Sequence, residues 1–164
     1  MVDRLFIGAL GHRHSGKSLT WNTLFGATVR TGSNKRRLKL RSGECVEVFL
    51  ISGSNEERNQ YAGDVLADQS VRIILCSVQY VKHASLTLDY IEDQDFCTYV
   101  QWLNPGYDDL DCQHADYVGL ASRLLHMGAT VAIRNGKVDA TSRVNELREI
   151  IYGWASFRGL VVPC

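Results

Sequence analysis

Residues 11–18 read Gly-His-Arg-His-Ser-Gly-Lys-Ser and fit the pattern GxxxxGK[ST], with Gly11, Gly16, Lys17 and Ser18 in its four fixed places. Each place has a chemical reason. The glycines let the backbone turn tightly and bring its N–H groups against an anion, and a helix that follows adds the positive end of its dipole. The lysine of such a loop reaches the β and γ phosphates of a nucleoside triphosphate, and the hydroxyl after it is a magnesium ligand. The candidate phosphate-binding residues are therefore Gly11, His14, Ser15, Gly16, Lys17, Ser18 and Leu19. Lys17 is also the first candidate for catalysis, Ser18 for the metal, and the cofactors expected are Mg2+ and GTP or ATP. Lys17 is expected to be exposed until a ligand covers it. His12, Arg13 and His14 are bulky for such a loop. Arg13 offers charge to a transferring phosphoryl group, although the backbone does the cradling and such side chains more often point outward.

The surrounding elements are the ones this loop requires. An apolar run over residues 5–10 has strand length, and residues 18–26 read as a helix that stops on Gly26. The runs RLKL and VEVFLIS are joined by residues 41–44, a glycine-containing connection that predicts an antiparallel hairpin. Residues 55–69 read as a helix, and the continuous apolar run 71–78 as a strand covered on both faces. A short helix over 85–94, a strand over 96–103, a helix over 116–127 and a strand in ATVAIR follow. Val144, Leu147, Ile150, Ile151, Trp154 and Phe157 form the apolar stripe of a last amphipathic helix. The alternation predicts an α/β fold of three layers, α/β/α, with a mostly parallel sheet and one antiparallel hairpin strand. Two prolines and no low-complexity segment leave nowhere for a linker, so residues 1–164 are read as one domain.

Composition narrows the class of partner. The net charge is zero, so no overall field draws the chain to nucleic acid or anionic lipid, and nucleic acid is not an expected partner. The charge is uneven, however: residues 1–82 hold twelve Lys and Arg against seven Asp and Glu, and residues 83–164 hold six against eleven. A basic first half suits an anion held near the phosphate loop. No apolar stretch reaches the ~20 residues that cross a bilayer. The five cysteines show no CxxC spacing and no signal peptide precedes them, which favours a reducing cytoplasm.

From residue 8 to residue 32 the string GALGHRHSGKSLTWNTLFGATVRTG resembles the start of translation-factor-related GTPases, the Era-like and dynamin-like members in particular. Gly16, Lys17, Ser18, Asn22, Leu24 and Gly26 stand where that family has GKSxLxNxLxG, and the order of elements is similar to that of a Ras-like GTPase. The resemblance implies a GTPase-like triphosphate-binding domain. It places Gly53 where the family's DxxG glycine contacts the γ-phosphate, with Leu50 where the magnesium aspartate belongs. It places Asn104 and, one residue late, Asp108 where NKxD reads guanine, without the lysine. Thr28 and Thr31 become candidates for the threonine that closes on magnesium, and Glu56 and Glu57 for positioning the attacking water, although carboxylates at a first helical turn are more often dipole caps. Hydrolysis is expected to be slow or absent. The alternatives are an ATPase or small phosphotransferase in which Arg58, Arg123 or Arg134 crosses the phosphates, and a non-enzymatic interaction module whose nucleotide sets the shape of residues 28–41 and 53–60, where a protein partner would bind.

Two further clusters stand apart. Arg30, Lys35, Arg36, Arg37, Lys39 and Arg41 crowd one loop and strand. They suit a phosphate backbone or an acidic partner, and equally a charged edge strand that resists aggregation, the commoner meaning of the pattern. Asp108, Asp109, Asp111, Cys112, His114 and Asp116 lack both the central glycine of a calcium loop and a matched zinc pair, and read as a solvated loop before a helix.

Overall fold

A computed structural model describes residues 2–67, 70–110 and 115–164. Its first strand, β1 (Leu5–Gly11), is buried along its whole length. Alternation divides its side chains between two cores: Leu5, Ile7 and Ala9 enter one, and Phe6 and Leu10 the other. The first core is closed by α1 (Lys17–Phe25) and α5 (Thr141–Phe157), through Trp21, Leu24, Val144, Leu147 and Ile151. The second is closed by α2 (Ala62–Leu66), α3 (Ser85–Asp93) and α4 (Leu120–His126). The remaining strands are β2 (Arg36–Arg41), β3 (Glu44–Ile51), β4 (Ile73–Gln79), β5 (Cys97–Leu103), β6 (Thr130–Arg134) and β7 (Val162–Pro163).

The sheet runs in the order β2-β3-β4-β1-β5-β6. Neighbours are parallel except β2 and β3, which form the expected hairpin, turning at Gly43 with its φ of 73°. The short β7 adds a second antiparallel pairing, on Glu44 and Cys45 of β3, that the sequence did not suggest. The fold is therefore mixed α/β with a mostly parallel sheet. The loop of residues 11–18 coincides with the sheet centre: β1 lies between β4 and β5, so the loop that follows it opens at the sheet's middle.

Two helices are shorter than expected, and both for polar reasons. Of the helix read over 55–69, only α2 forms among the described residues, and residues 68–69 lie outside them. Ahead of it the chain is held in turns, because the Ser54 hydroxyl accepts from the Glu57 amide at 3.2 Å, the Ser54 and Asn55 carbonyls take the amides of Arg58 and Gln60, and Asn59 has a φ of 51°. The helix read from residue 116 begins instead at Leu120. Gly119 precedes it with a φ of 80°, and the Asp116 carboxylate reaches forward to accept from the amides of Ala121 and Ser122. Cys45 and Cys164 are joined in a disulfide that fastens β7 to β3. Disulfides persist mainly in oxidising surroundings, so this pair lends no support to the expected reducing cytoplasm. Among the described residues no helix is long and apolar enough to cross a membrane.

The outer edge near β6 carries a testable ion pair. Arg134 donates through Nε and Nη2 to the two carboxylate oxygens of Glu146, at 2.8 and 2.5 Å, and the Tyr99 hydroxyl donates to the same carboxylate at 3.0 Å. The hydrogen bond from Arg134, opposed by burial and helped by Tyr99, holds Glu146 below its ordinary value of 4.5. Burial and the Glu146 carboxylate push Tyr99 up to about 12. A carboxylate depressed in the folded state adds stability that is complete above its unfolded pKa and is lost as pH falls through the folded one. Glu146→Gln is therefore expected to lower the urea midpoint at pH 7, and the gap from the parent should narrow as the pH drops below 4.5. A gap that stays constant with pH would assign the effect to packing.

Candidate functional site

The loop from β1 to α1 turns because its residues accept unusual backbone angles. Gly16 has a φ of 108° and His14 one of 59°, and the Ser15 amide donates back to the His12 carbonyl at 3.1 Å. Helix α1 then begins at Lys17 with no side-chain cap. The first N–H groups of any helix lack intrahelical partners, so here they remain as donors at the mouth of the loop. Two other loops clamp this one from behind. The Tyr107 amide donates to the Ser15 carbonyl at 2.9 Å, and the Gly136 amide to that of Pro105 at 2.8 Å. A Cβ at Gly136 would lie 2.4 Å from the Ser15 carbonyl oxygen, so the closeness of these loops depends on glycine there.

A cavity of about 800 Å³ opens over the loop. Arg13, His14, Ser15, Gly16, Lys17, Ser18 and Leu19 form one wall, while Ser52, Glu57 and Gln79 form a second and Tyr107 and Asp108 a third. The structure thus brings nearly the whole motif to one concave surface, with Gly11 beneath it. Ser15 contributes a buried hydroxyl oxygen with no hydrogen-bond partner.

Lys17 departs from expectation: it is only 6 % exposed. Its ammonium curls back into the loop, donating to the carbonyls of His12 at 2.7 Å and Gly11 at 3.1 Å, with Glu57 at 4.0 Å. Burial lowers its pKa, and Glu57 and Glu56 work in the opposite direction. The loop carbonyls hold the charge that a bare solvent-exposed lysine would have left to water.

The other candidates divide. Glu57 faces the cavity, but Glu56 does not. Its carboxylate accepts from the Gln79 amide at 3.1 Å and the Thr87 hydroxyl at 2.6 Å, which makes it a brace between β4 and α3. Thr31 is engaged with the loop after β3, its hydroxyl oxygen accepting from the amides of Ser52 and Gly53 at 2.9 and 3.2 Å. Gly53 is thereby engaged with Thr31, and Arg58 packs on it. Because β4 lies between β1 and β3, the loop after β3 is one strand farther from the phosphate loop than a direct neighbour would be, and Gln79 of β4 takes the nearer place. Asn104 is buried, its amide on the Arg134 carbonyl, whereas Asp108 lines the cavity. Arg58, Arg123 and Arg134 are each occupied elsewhere: Arg58 by Gly53 and Asn55, Arg123 by Asp89 and Glu92, Arg134 by Glu146. Among the described residues no three His, Cys, Asp or Glu gather as a metal cluster, and Asp111, Cys112 and His114 lie outside those residues.

One functional neighbour escaped the sequence reading. Arg143 of α5, 3 % exposed, lies directly behind the loop, with Nε on the Thr20 hydroxyl at 3.1 Å, Nη1 on the Val138 carbonyl at 3.3 Å and Nη2 near the Gly16 carbonyl at 3.5 Å. Burial lowers its pKa, and the attraction of Asp139 only partly offsets this. The signal was present: Arg143 precedes Leu147 by four residues, on the buried face of the helix. In comparisons with known proteins, no family model and no curated protein matches this chain.

Proposed function

We infer that this chain binds a nucleoside triphosphate through residues 11–18, in the manner of a P-loop NTPase, and hydrolyses it slowly if at all. The observation that carries the reading is the meeting, in one cavity, of an uncapped helix N-terminus, the Lys17 ammonium and the Ser18 hydroxyl. Separately these are common; together they are donors and positive charge aimed at one anion. The residues also fit magnesium, which commonly binds through one or two protein oxygens and completes its shell with phosphate oxygens and water. Ser18 and Glu57 would hold it, and the ion would supply neutralisation of the phosphate charge. On entry of the triphosphate, Lys17 turns from the Gly11 and His12 carbonyls to the phosphate oxygens. Glu57, 4.0 Å from that ammonium, is then released toward the metal side.

Slow hydrolysis follows from what surrounds the cavity. Glu56 is committed to Gln79 and Thr87, and the three arginines considered for phosphoryl stabilisation are committed elsewhere. Of the remaining candidates Arg13 and Glu57 do line the cavity, and with Glu57 engaged on the metal the attacking water loses the carboxylate considered for positioning it. The base is open between guanine and adenine, so both nucleotides belong in the test. A ligand at 100 times its Kd stabilises by ~2.7 kcal/mol, which for a domain of this size shifts the Tm by roughly 5–10 °C. We expect a magnesium-dependent shift of that order with ATP or GTP; the absence of any shift with either nucleotide at millimolar concentration would remove the reading.

A further inference from the structure

At the opposite border of the sheet lies a second concave surface that nucleotide binding does not use. Strand β2 is the edge strand and is hydrogen-bonded to β3 alone. Alternate backbone groups of an edge strand point outward. Among the described residues, the backbone of β2 bonds only within the β3 ladder. A groove of about 820 Å³ runs along this edge, between β2, the last turn of α1 and α5. Arg37, Lys39, Arg41 and Arg148 line it against one carboxylate, Glu149, already paired with Arg41 at 3.1 Å. Arg148 is partly engaged in capping the Thr23 and Leu24 carbonyls, while Lys39 makes no hydrogen bond or ion pair with any described residue.

We propose that this groove receives an extended acidic segment of a partner protein, which joins the sheet as a strand beside β2. Three features select that occupant. First, β2 alternates: Arg37 and Lys39 are exposed on one side, and Leu38 and Leu40 are buried toward α1 and α5 on the other. A strand laid alongside repeats its own side chains on each face every ~6.7 Å. Carboxylates at alternate positions therefore meet Arg37 and Lys39, and apolar residues between them lie against the half-buried Phe25. Second, a second copy of this chain is disfavoured, because β2 against β2 sets basic residues opposite basic residues. Third, single-stranded nucleic acid is bound by stacking its bases on aromatic rings. The one ring in this groove is Phe25, which already has the Arg36 guanidinium 5.6 Å from its centroid. Charges that merely protect an edge from aggregation would need no concavity beside the strand.

The test uses the full chain and a fluorescently labelled peptide of alternating glutamate and valine. Its controls are a lysine–valine peptide of equal length and oligothymidine. Anisotropy at low salt is expected to show saturable binding of the acidic peptide, about tenfold or more tighter than either control, and weakening with added salt. Hydrogen exchange should slow at residues 36–41 in the complex. The double variant Arg37→Glu, Lys39→Glu should lose about tenfold or more in affinity; because Arg37 stands opposite Glu47 and donates to the Pro163 carbonyl at 3.3 Å, its Tm is expected to fall modestly while the fold is kept. Should the variant not fold, exchange in the parent complex decides alone. Failure of the acidic peptide to bind, tighter binding of oligothymidine, or binding without slowed exchange along β2 overturns the proposal.

Discussion

Lys17→Ala is expected to lower nucleotide affinity at least about tenfold, because a charge-assisted hydrogen bond to phosphate contributes roughly 1.5–3 kcal/mol and, among the described residues, Lys17 is the ammonium seated on the Gly11 and His12 carbonyls. The cost to the ligand-free protein is a separate matter. Were Lys17 exposed, its loss would leave the melting temperature almost unchanged. It is instead 6 % exposed and donates to two loop carbonyls, so alanine removes both bonds, although each carbonyl keeps a backbone donor, Tyr80 on Gly11 at 2.8 Å and Ser15 on His12 at 3.1 Å. Relief of the buried charge offsets part of that loss. A net cost of ~1 kcal/mol, or a Tm lower by about 2–4 °C, is the expected balance. Calorimetric titration and thermal melts on the same sample check both halves. A variant that melts far earlier yet binds nucleotide as tightly as the parent would make Lys17 a structural residue and the phosphate assignment wrong.

The second large effect should come from Arg143→Met, and its two halves have opposite signs. The guanidinium is buried with three neutral oxygen partners and no carboxylate bonded to it. Two of those oxygens have other partners, since the Gly16 carbonyl also accepts from the Thr20 amide and hydroxyl, and the Thr20 hydroxyl has that carbonyl. Replacement by an apolar side chain of similar length therefore strands little and removes a desolvated charge, a change that in other proteins is often neutral or stabilising by ~1–4 kcal/mol. Ligand-free stability should stay level or rise. Binding should weaken, because the substitution removes a buried positive charge directly behind the loop and with it an attraction for every charge on the ligand. The loss should grow from orthophosphate to tripolyphosphate, reaching about tenfold or more for the latter. An equal loss for both anions would mean that the substitution displaced the loop rather than its charge.

Local pattern explains which parts of this molecule were legible. The phosphate loop, the strand before it and the helix after it are written in adjacent residues, as is the hairpin through Gly43. What escaped depends on contacts between distant segments. The insertion of β4 between β1 and β3 leaves no trace in periodicity, yet it decides that Gln79 and not the segment near Gly53 sits nearest the loop. The early start expected for α4 failed because the Asp116 side chain substitutes for helical carbonyls. Cys45 and Cys164 are too far apart in the chain for spacing to pair them. Lys17 was expected to be exposed and is buried, since its partners are the carbonyls of its own loop and only folding brings them together.

The sheet order also governs when the binding loop can exist during biosynthesis. Strand β1 emerges first but pairs only with strands that begin at Ile73 and Cys97, whereas β2 and β3 can close on each other at once. Bringing such remote segments together costs loop-closure entropy before any ladder rewards it. The nascent chain therefore carries an apolar strand without neighbours while everything up to β4 is being made, and that strand ends in the phosphate loop. The loop acquires its clamp still later, from Tyr107 and Gly136. The loop between β1 and α1 is consequently completed last, and the unpaired apolar strand that leads into it needs shelter on the ribosome until then.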